Sequence, residues 1–206
     1  MAATAEFTIT VKGRGGHAAM PNRSVDPIVI ASHIVTALQT IASRTIDPVE
    51  AVVVSVTKFH GGEAYNVIPE QVELAGTVRT LKKEVSVLAR DRLHKIAEGV
   101  GAAMGATVTV HYKANYPVTY NHLDETVFAG DIAEAIAGEG QVHRAIQPVM
   151  GGEDFSYMLE ARPGAFIFIG NGESANLHHP AYDFNDEVIP HGVSYWVRLA
   201  EKALAA

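Results

Sequence analysis

Two loops of this chain carry side chains able to do chemistry. The first is Gly13-Arg14-Gly15-Gly16-His17-Ala18-Ala19-Met20-Pro21-Asn22-Arg23. Three glycines and a proline leave it no regular structure, so its backbone is shaped residue by residue. His17 stands in its middle, followed by two alanines small enough to let a ligand approach. An imidazole changes charge near neutral pH and can bind metal or move a proton. A glycine-rich turn with an incidental histidine fits the same residues. The second loop is Asn176-Leu177-His178-His179-Pro180-Ala181-Tyr182-Asp183-Phe184-Asn185-Asp186-Glu187. It mixes imidazoles with carboxylates, the combination in which an acid orients a histidine that binds metal or acts as a base. A solvated loop using polar residues for turn chemistry is the alternative.

Three weaker candidates lie elsewhere. Gly151-Gly152-Glu153-Asp154-Phe155-Ser156 reads as a strand-to-helix turn. Such glycines permit close backbone approach by a ligand, although a tight turn with acids on the helix dipole explains them equally. Asn66, in Asn66-Val67-Ile68-Pro69, and Arg79 offer an amide and a guanidinium that could together hold a carboxylate. His122-Leu123-Asp124 has the spacing of some metal sites, but it opens a helix, and capping explains it better.

Composition narrows the classes. The chain has 206 residues, no cysteine and a formal charge of −7. Disulfides and thiolate metal sites are excluded, leaving His, Asp and Glu as ligands. Without a basic cluster, nucleic acid and anionic membranes are poor partners. No apolar run is long enough to span a bilayer, and the start lacks the basic and apolar regions of a secretion signal. A cytoplasmic location is the expectation. The abrupt entry into a strand fits an internal boundary or a short leader.

The elements that must position these loops come in a definite order. Phe7, Ile9 and Val11 alternate with polar residues, predicting a half-buried strand. Ser24 is a plausible N-cap for a helix running to about Ser43, with Asp26 and Pro27 in its first turn. Strands are predicted over 51–57, 72–79 and 107–112, with a helix over 85–100 between the last two. Phe59 to Asn66 reads as loop. The order β-α-β-β-α-β over 5–117 predicts a ferredoxin-like antiparallel sheet with both helices on one face. Thr8, Thr10, Glu73, Thr77 and Arg79 line the other face. Residues 118–206 read as α/β. Helices are expected over 124–137 and 189–204, the latter with Val193, Trp196, Val197 and Ala200 on one side. Short strands are expected over 145–149 and 165–169, the second an apolar run typical of a central strand covered on both faces. Two strands are too few for an independent sheet.

Five motifs then stand in order: Gly-Gly-His-Ala-Ala-Met-Pro, Asn-Val-Ile-Pro, Gly-Thr-Val-Arg-Thr, Gly-Gly-Glu-Asp-Phe-Ser and Leu-His-His-Pro-Ala-Tyr-Asp-Phe-Asn-Asp-Glu. With them the chain resembles the metal-dependent amidohydrolases that include hippurate hydrolases, N-acyl-amino-acid amidohydrolases, aminoacylases and carboxypeptidase G-like enzymes. The resemblance covers almost the whole chain. It implies a ferredoxin-like lid that forms a homodimer, followed by the C-terminal portion of an α/β zinc-peptidase-like catalytic domain. It implies two divalent metal ions in the intact enzyme, Zn²⁺ or Mn²⁺, and an N-acyl (for example N-benzoyl) amino acid or small peptide-like substrate. By the same resemblance His178 is a metal ligand and His17 the lid histidine that polarises the scissile carbonyl. Asn66 and Arg79 hold the substrate carboxylate, and Gly151 and Gly152 form the turn beside the substrate.

The departures are equally informative. The family's other catalytic half supplies a His-x-Asp or Cys-x-His segment, a Glu-Glu pair and another His, whereas this chain has no Cys and no adjacent Glu pair. Asn22 stands where this branch often has a second His. Most metal ligands and the general base are therefore absent, and the isolated chain is expected to be inactive. A non-catalytic dimerisation or carboxylate-binding module is the alternative, and a separate chain supplying the missing half is a third possibility.

Overall fold

A computed structural model describes residues 1–205. The chain divides into two compact units. The first comprises Met1–Thr119 with Pro148–Ser156, and the second Tyr120–Gln147 with the residues from Tyr157 onward.

The first unit is built on four strands, β1 (Ala3–Lys12), β3 (Val52–His60), β5 (Gln71–Thr80) and β6 (Thr107–Ala114). They lie in the order β3-β5-β1-β6, and every neighbouring pair is antiparallel. Alternation along β1 sends Phe7, Ile9 and Val11 to one face, where Val72, Leu74 and Val78 of β5 join them. Two helices, α1 (Pro27–Leu38) and α2 (Lys83–Ala103), close that face. Ile30, Ile34 and Leu38 of α1 meet Val85, Ala89, Leu93 and Ala97 of α2 in one core. A spacing of four residues throughout puts each set on a single helical stripe. Thr10 pairs with Glu73, Thr8 with Ala75 and Thr4 with Arg79, so the opposite face is polar as expected.

Two local features differ from the sequence expectation. The first helix is capped by Asp26, whose Oδ1 accepts from Ile28 N–H at 2.9 Å, with Pro27 at the first helical position. Ser24 cannot serve, because the next residue, Val25, is held extended in a two-way backbone bridge to Arg14. The expected loop at Phe59 and His60 is instead the end of β3, reached through a bulge between Val56 and Lys58.

The second unit is helical. Its helix α3 (Leu123–Ala137) packs on α5 (Val188–Ala203), and Ala129, Ile132, Leu159 of α4 (Ser156–Ala161) and Tyr195 are buried. Neither expected strand forms. Residues 145–149 and 165–169 make no ladder with any strand among the described residues. Instead of being covered on both faces, Ile167, Phe168 and Ile169 are 39%, 54% and 53% exposed. The physical reason is pairing: at Phe166 a side chain stands where a strand partner would. Asn121 accepts from Phe166 N–H at 2.9 Å and donates to its carbonyl at 2.8 Å, imitating one rung of a sheet. The apolar stripe expected on the last helix is present but uncovered, with Val193 57% and Trp196 64% exposed. No helix among the described residues is long and apolar enough to cross a membrane.

Candidate active-site elements

The opening loop is shaped by close backbone approach. At Gly13 a Cβ would fall 2.1 Å from the carbonyl oxygen of Val25, so no other residue fits. Beyond it, β2 (Gly16–His17) pairs with β4 (Val67–Ile68), opposing His17 to Val67. Ala18 N–H donates to the Asn66 carbonyl at 3.0 Å. The two motifs that carry His17 and Asn66 are thus stitched together, a two-residue ladder too short to show as a periodicity in sequence.

His17 is exposed, but its ring is held. Ala19 N–H donates to Nδ1 at 3.1 Å, and Met20 N–H donates to the His17 carbonyl at 2.8 Å. A backbone N–H can only donate, so Nδ1 carries a lone pair here. The neutral ring therefore bears its proton on Nε2, leaving that nitrogen as the hydrogen-bond donor of an exposed residue.

Arg79 is not brought to this place. The ladder runs from Lys12 opposite Gln71 to His17 opposite Val67, so Asn66 lies beyond the Gln71 end of β5. At about 3.3 Å per residue, Arg79 is roughly 26 Å along the strand from Gln71. Its guanidinium donates to the neighbouring Val78 carbonyl at 3.0 Å. The expectation that Asn66 and Arg79 together clamp one carboxylate fails within a single chain, because β5 separates them by nearly its full length.

Gly151 and Gly152 belong to the first unit. The Gly151 carbonyl accepts from Ala2 N–H at 2.9 Å. A Cβ on Gly152 would meet the Thr4 methyl at 2.2 Å. Packing against β1 therefore explains Gly152 without a ligand. The acidic residue after it caps the following turn, with Phe155 N–H donating to the Glu153 carboxylate at 3.2 Å.

In the second unit, His178 is exposed and has φ of 67°, the only positive value outside glycine among the described residues. It sits in a tight turn closed by His179 N–H donating to the Asn176 carbonyl at 3.1 Å. A left-handed conformation costs a non-glycine residue about 1 kcal/mol, and such outliers gather at functional sites. His122 does not cap α3 with its side chain; its Nδ1 instead accepts from Gly164 N–H at 3.2 Å. Among the described residues no group of three or more His, Asp or Glu is placed to hold a metal. The donors of this chain do not by themselves fit a metal centre.

The Peptidase family M20/M25/M40 profile matches residues 13–202. The chain is 35% identical over 204 residues to the hippurate hydrolase of Campylobacter jejuni, covering 99% of this chain and 53% of that protein. It is 37% identical over 202 residues to the N-acetylcysteine deacetylase of Bacillus subtilis, covering 97% of this chain and 52% of the relative. Among solved structures, a putative aminohydrolase from methicillin-resistant Staphylococcus aureus superposes with a TM-score of 0.85 at 30% identity, covering 97% of this chain and 51% of that one. A Bacillus subtilis protein described as a dinuclear metal binding peptidase of the M20 family superposes with a TM-score of 0.78 at 31% identity, over 99% and 51% of the two chains. The chain thus spans about half the length of the relatives it matches. On a match that runs through nearly all of its residues, this chain belongs to peptidase family M20/M25/M40.

Proposed function

We propose that this chain is the lid and C-terminal catalytic portion of an enzyme that hydrolyses the amide bond of N-acyl amino acids. Residues 5–117 are assigned as a ferredoxin-like lid that dimerises, and 118–206 as part of the α/β catalytic domain. Support comes from relatives named for hippurate and N-acetylcysteine, both N-acylated amino acids. The observation that carries the reading is the held ring of His17, whose Nδ1 is occupied by Ala19 N–H. An Nε2–H on a ring held at its other nitrogen is the donor that a developing oxyanion on the amide carbonyl requires.

The chain's own contribution follows from its residues. His17 donates to the carbonyl oxygen, and Asn66 and Arg79 hold the carboxylate. Since β5 keeps these two apart, one site takes His17 and Asn66 from one copy and Arg79 from another, which makes the homodimer a requirement. Gly151 and Gly152 lie beside the substrate. His178 is a metal ligand, Zn²⁺ or Mn²⁺ being the expected ions, and it contributes one donor where a catalytic zinc needs about three. The remaining donors and the base would come from outside these residues. The shortage of donors favours one second reading, a dimerisation or carboxylate-binding module without catalysis.

Metal analysis of the complete, dimeric enzyme tests the assignment of His178. His178→Ala is expected to lower metal occupancy; full occupancy in that variant would remove His178 from the ligand set.

A further inference from the structure

The turn that holds His17 occurs a second time, around His179. Ala181 N–H donates to His179 Nδ1 at 3.0 Å, and Tyr182 N–H donates to the His179 carbonyl at 2.9 Å. The corresponding distances at His17 are 3.1 and 2.8 Å, from Ala19 and Met20. In both, a histidine is followed two residues later by the alanine whose N–H caps its ring. Nδ1 of His179 is again the acceptor, so the neutral ring again carries its proton on Nε2. The residue is exposed.

The loop around it is fixed rather than slack. Asn171 ties its neck, donating to the Asp183 carbonyl at 2.8 Å and accepting from Asn185 N–H at 2.8 Å. His178 is locked in its left-handed conformation by the turn that ends at His179. A ring oriented on a tied loop loses little entropy when it binds, which is the property of a recognition group.

We propose that His179 is a substrate-contacting residue whose Nε2–H donates a hydrogen bond to an oxygen of the substrate, either the acyl carbonyl or the carboxylate. The proposal rests on the reading that His178, its neighbour, binds metal. Capping the turn needs only an acceptor three bonds from Cα, and aspartate or asparagine does that as well. Histidine adds a donor at the Nε2 position, which aspartate lacks altogether and which the Nδ2 amide of asparagine, one atom closer to the main chain, does not reach.

This difference supplies the test. His179→Asn keeps the cap and removes the N–H at the Nε2 position, leaving only an amide N–H2 closer to the main chain, whereas His179→Ala removes both cap and donor. In the 206-residue chain, nitrogen NMR is expected to show the Nε2–H tautomer at His179; an Nδ1–H tautomer overturns the proposal. In the complete metal-loaded enzyme, His179→Asn is expected to lower kcat/KM for N-benzoylglycine about tenfold, the size of one hydrogen bond to a charged or polarised oxygen, with metal content and Tm unchanged. Wild-type kinetics in His179→Asn would mean that the ring is only a turn cap, and loss of metal would make it a ligand; either overturns the proposal. N-methylbenzamide, which lacks the carboxylate, separates the two acceptors. The penalty vanishes there if the contact is the carboxylate and persists if it is the carbonyl. His17→Asn serves as control. If it has no effect, the reading of the whole site fails; if it impairs turnover and His179→Asn does not, only the present proposal fails.

Discussion

Ala19 N–H points at Nδ1 of His17 across 3.1 Å, and this one contact decides which ring nitrogen accepts and which is left to donate. A histidine free in solution exchanges its proton between both nitrogens, whereas this one is committed to donating from Nε2. Removing an oxyanion donor costs about a hundredfold or more in kcat. His17→Ala in the complete enzyme is therefore expected to lose about that much, with its metal retained, as measured by steady-state kinetics beside metal analysis. Loss of metal in this variant would mean that His17 is a ligand and not a donor to substrate.

Asn66 and Arg79 provide a test of shared sites. Each single variant, Asn66→Ala or Arg79→Ala, is expected to be nearly inactive as a pure dimer. Mixed dimers of the two variants contain one site in which both residues are intact, if each site draws on two copies. Random mixing of the two inactive proteins should then restore about a quarter of wild-type activity, by the symmetry of a two-fold assembly. Mixtures as inactive as their components would show that both residues act within one chain.

Gly152 allows packing to be separated from ligand approach. The Thr4 methyl lies where a Cβ would go, 2.2 Å away. Gly152→Ala is expected to destabilise the fold by about 1–3 kcal/mol through overpacking. Thr4→Ser removes the methyl yet keeps the hydroxyl that accepts from Tyr116 N–H at 3.2 Å. Denaturant melts of the double variant should show most of the loss recovered; undiminished loss would mean that Thr4 is not what excludes the side chain.

Alkaline stability follows from Tyr112. Burial raises its pKa above the usual value near 10, while Arg90 pulls in the opposite direction. The folded state thus keeps the phenol proton to higher pH than the unfolded chain does. Its contribution to stability is complete below pH 10 and is lost as pH rises from there through the folded value. Tyr195 is raised by burial too and adds to the same loss. Tyr112→Phe should flatten the decline of urea-unfolding stability above about pH 10, and an unchanged slope would contradict it.

Sequence periodicity revealed most of the first unit because its chemistry is local. Phe7, Ile9 and Val11 alternate toward the core, and Leu93 and Ala97 recur at helical spacing, so four strands and two helices are readable residue by residue. The stitch between His17 and Val67 was not readable, since a two-residue ladder has no period. The separation of Asn66 from Arg79 also needed the register of β5 against β1. Residues 165–169 misled for a different reason. An apolar β-branched and aromatic run indicates a strand, but whether it joins a sheet depends on a partner edge, and here the Asn121 side chain takes that place at Phe166. Likewise, the stripe of Val193, Trp196 and Val197 is plain in sequence, while what covers it is not. At the candidate site, the five motifs identified the family, whereas the fixed tautomers of His17 and His179 depend on turns only coordinates display.

The most direct test of the account is turnover of N-benzoylglycine by the 206-residue chain alone, supplied with Zn²⁺ or Mn²⁺ and assayed beside the complete enzyme with metal content measured in both. Hydrolysis is expected from the complete enzyme only, with less than one tightly held ion per short chain. Hydrolysis by the short chain at the rate of the complete enzyme would contradict it, because these residues would then hold a full catalytic centre.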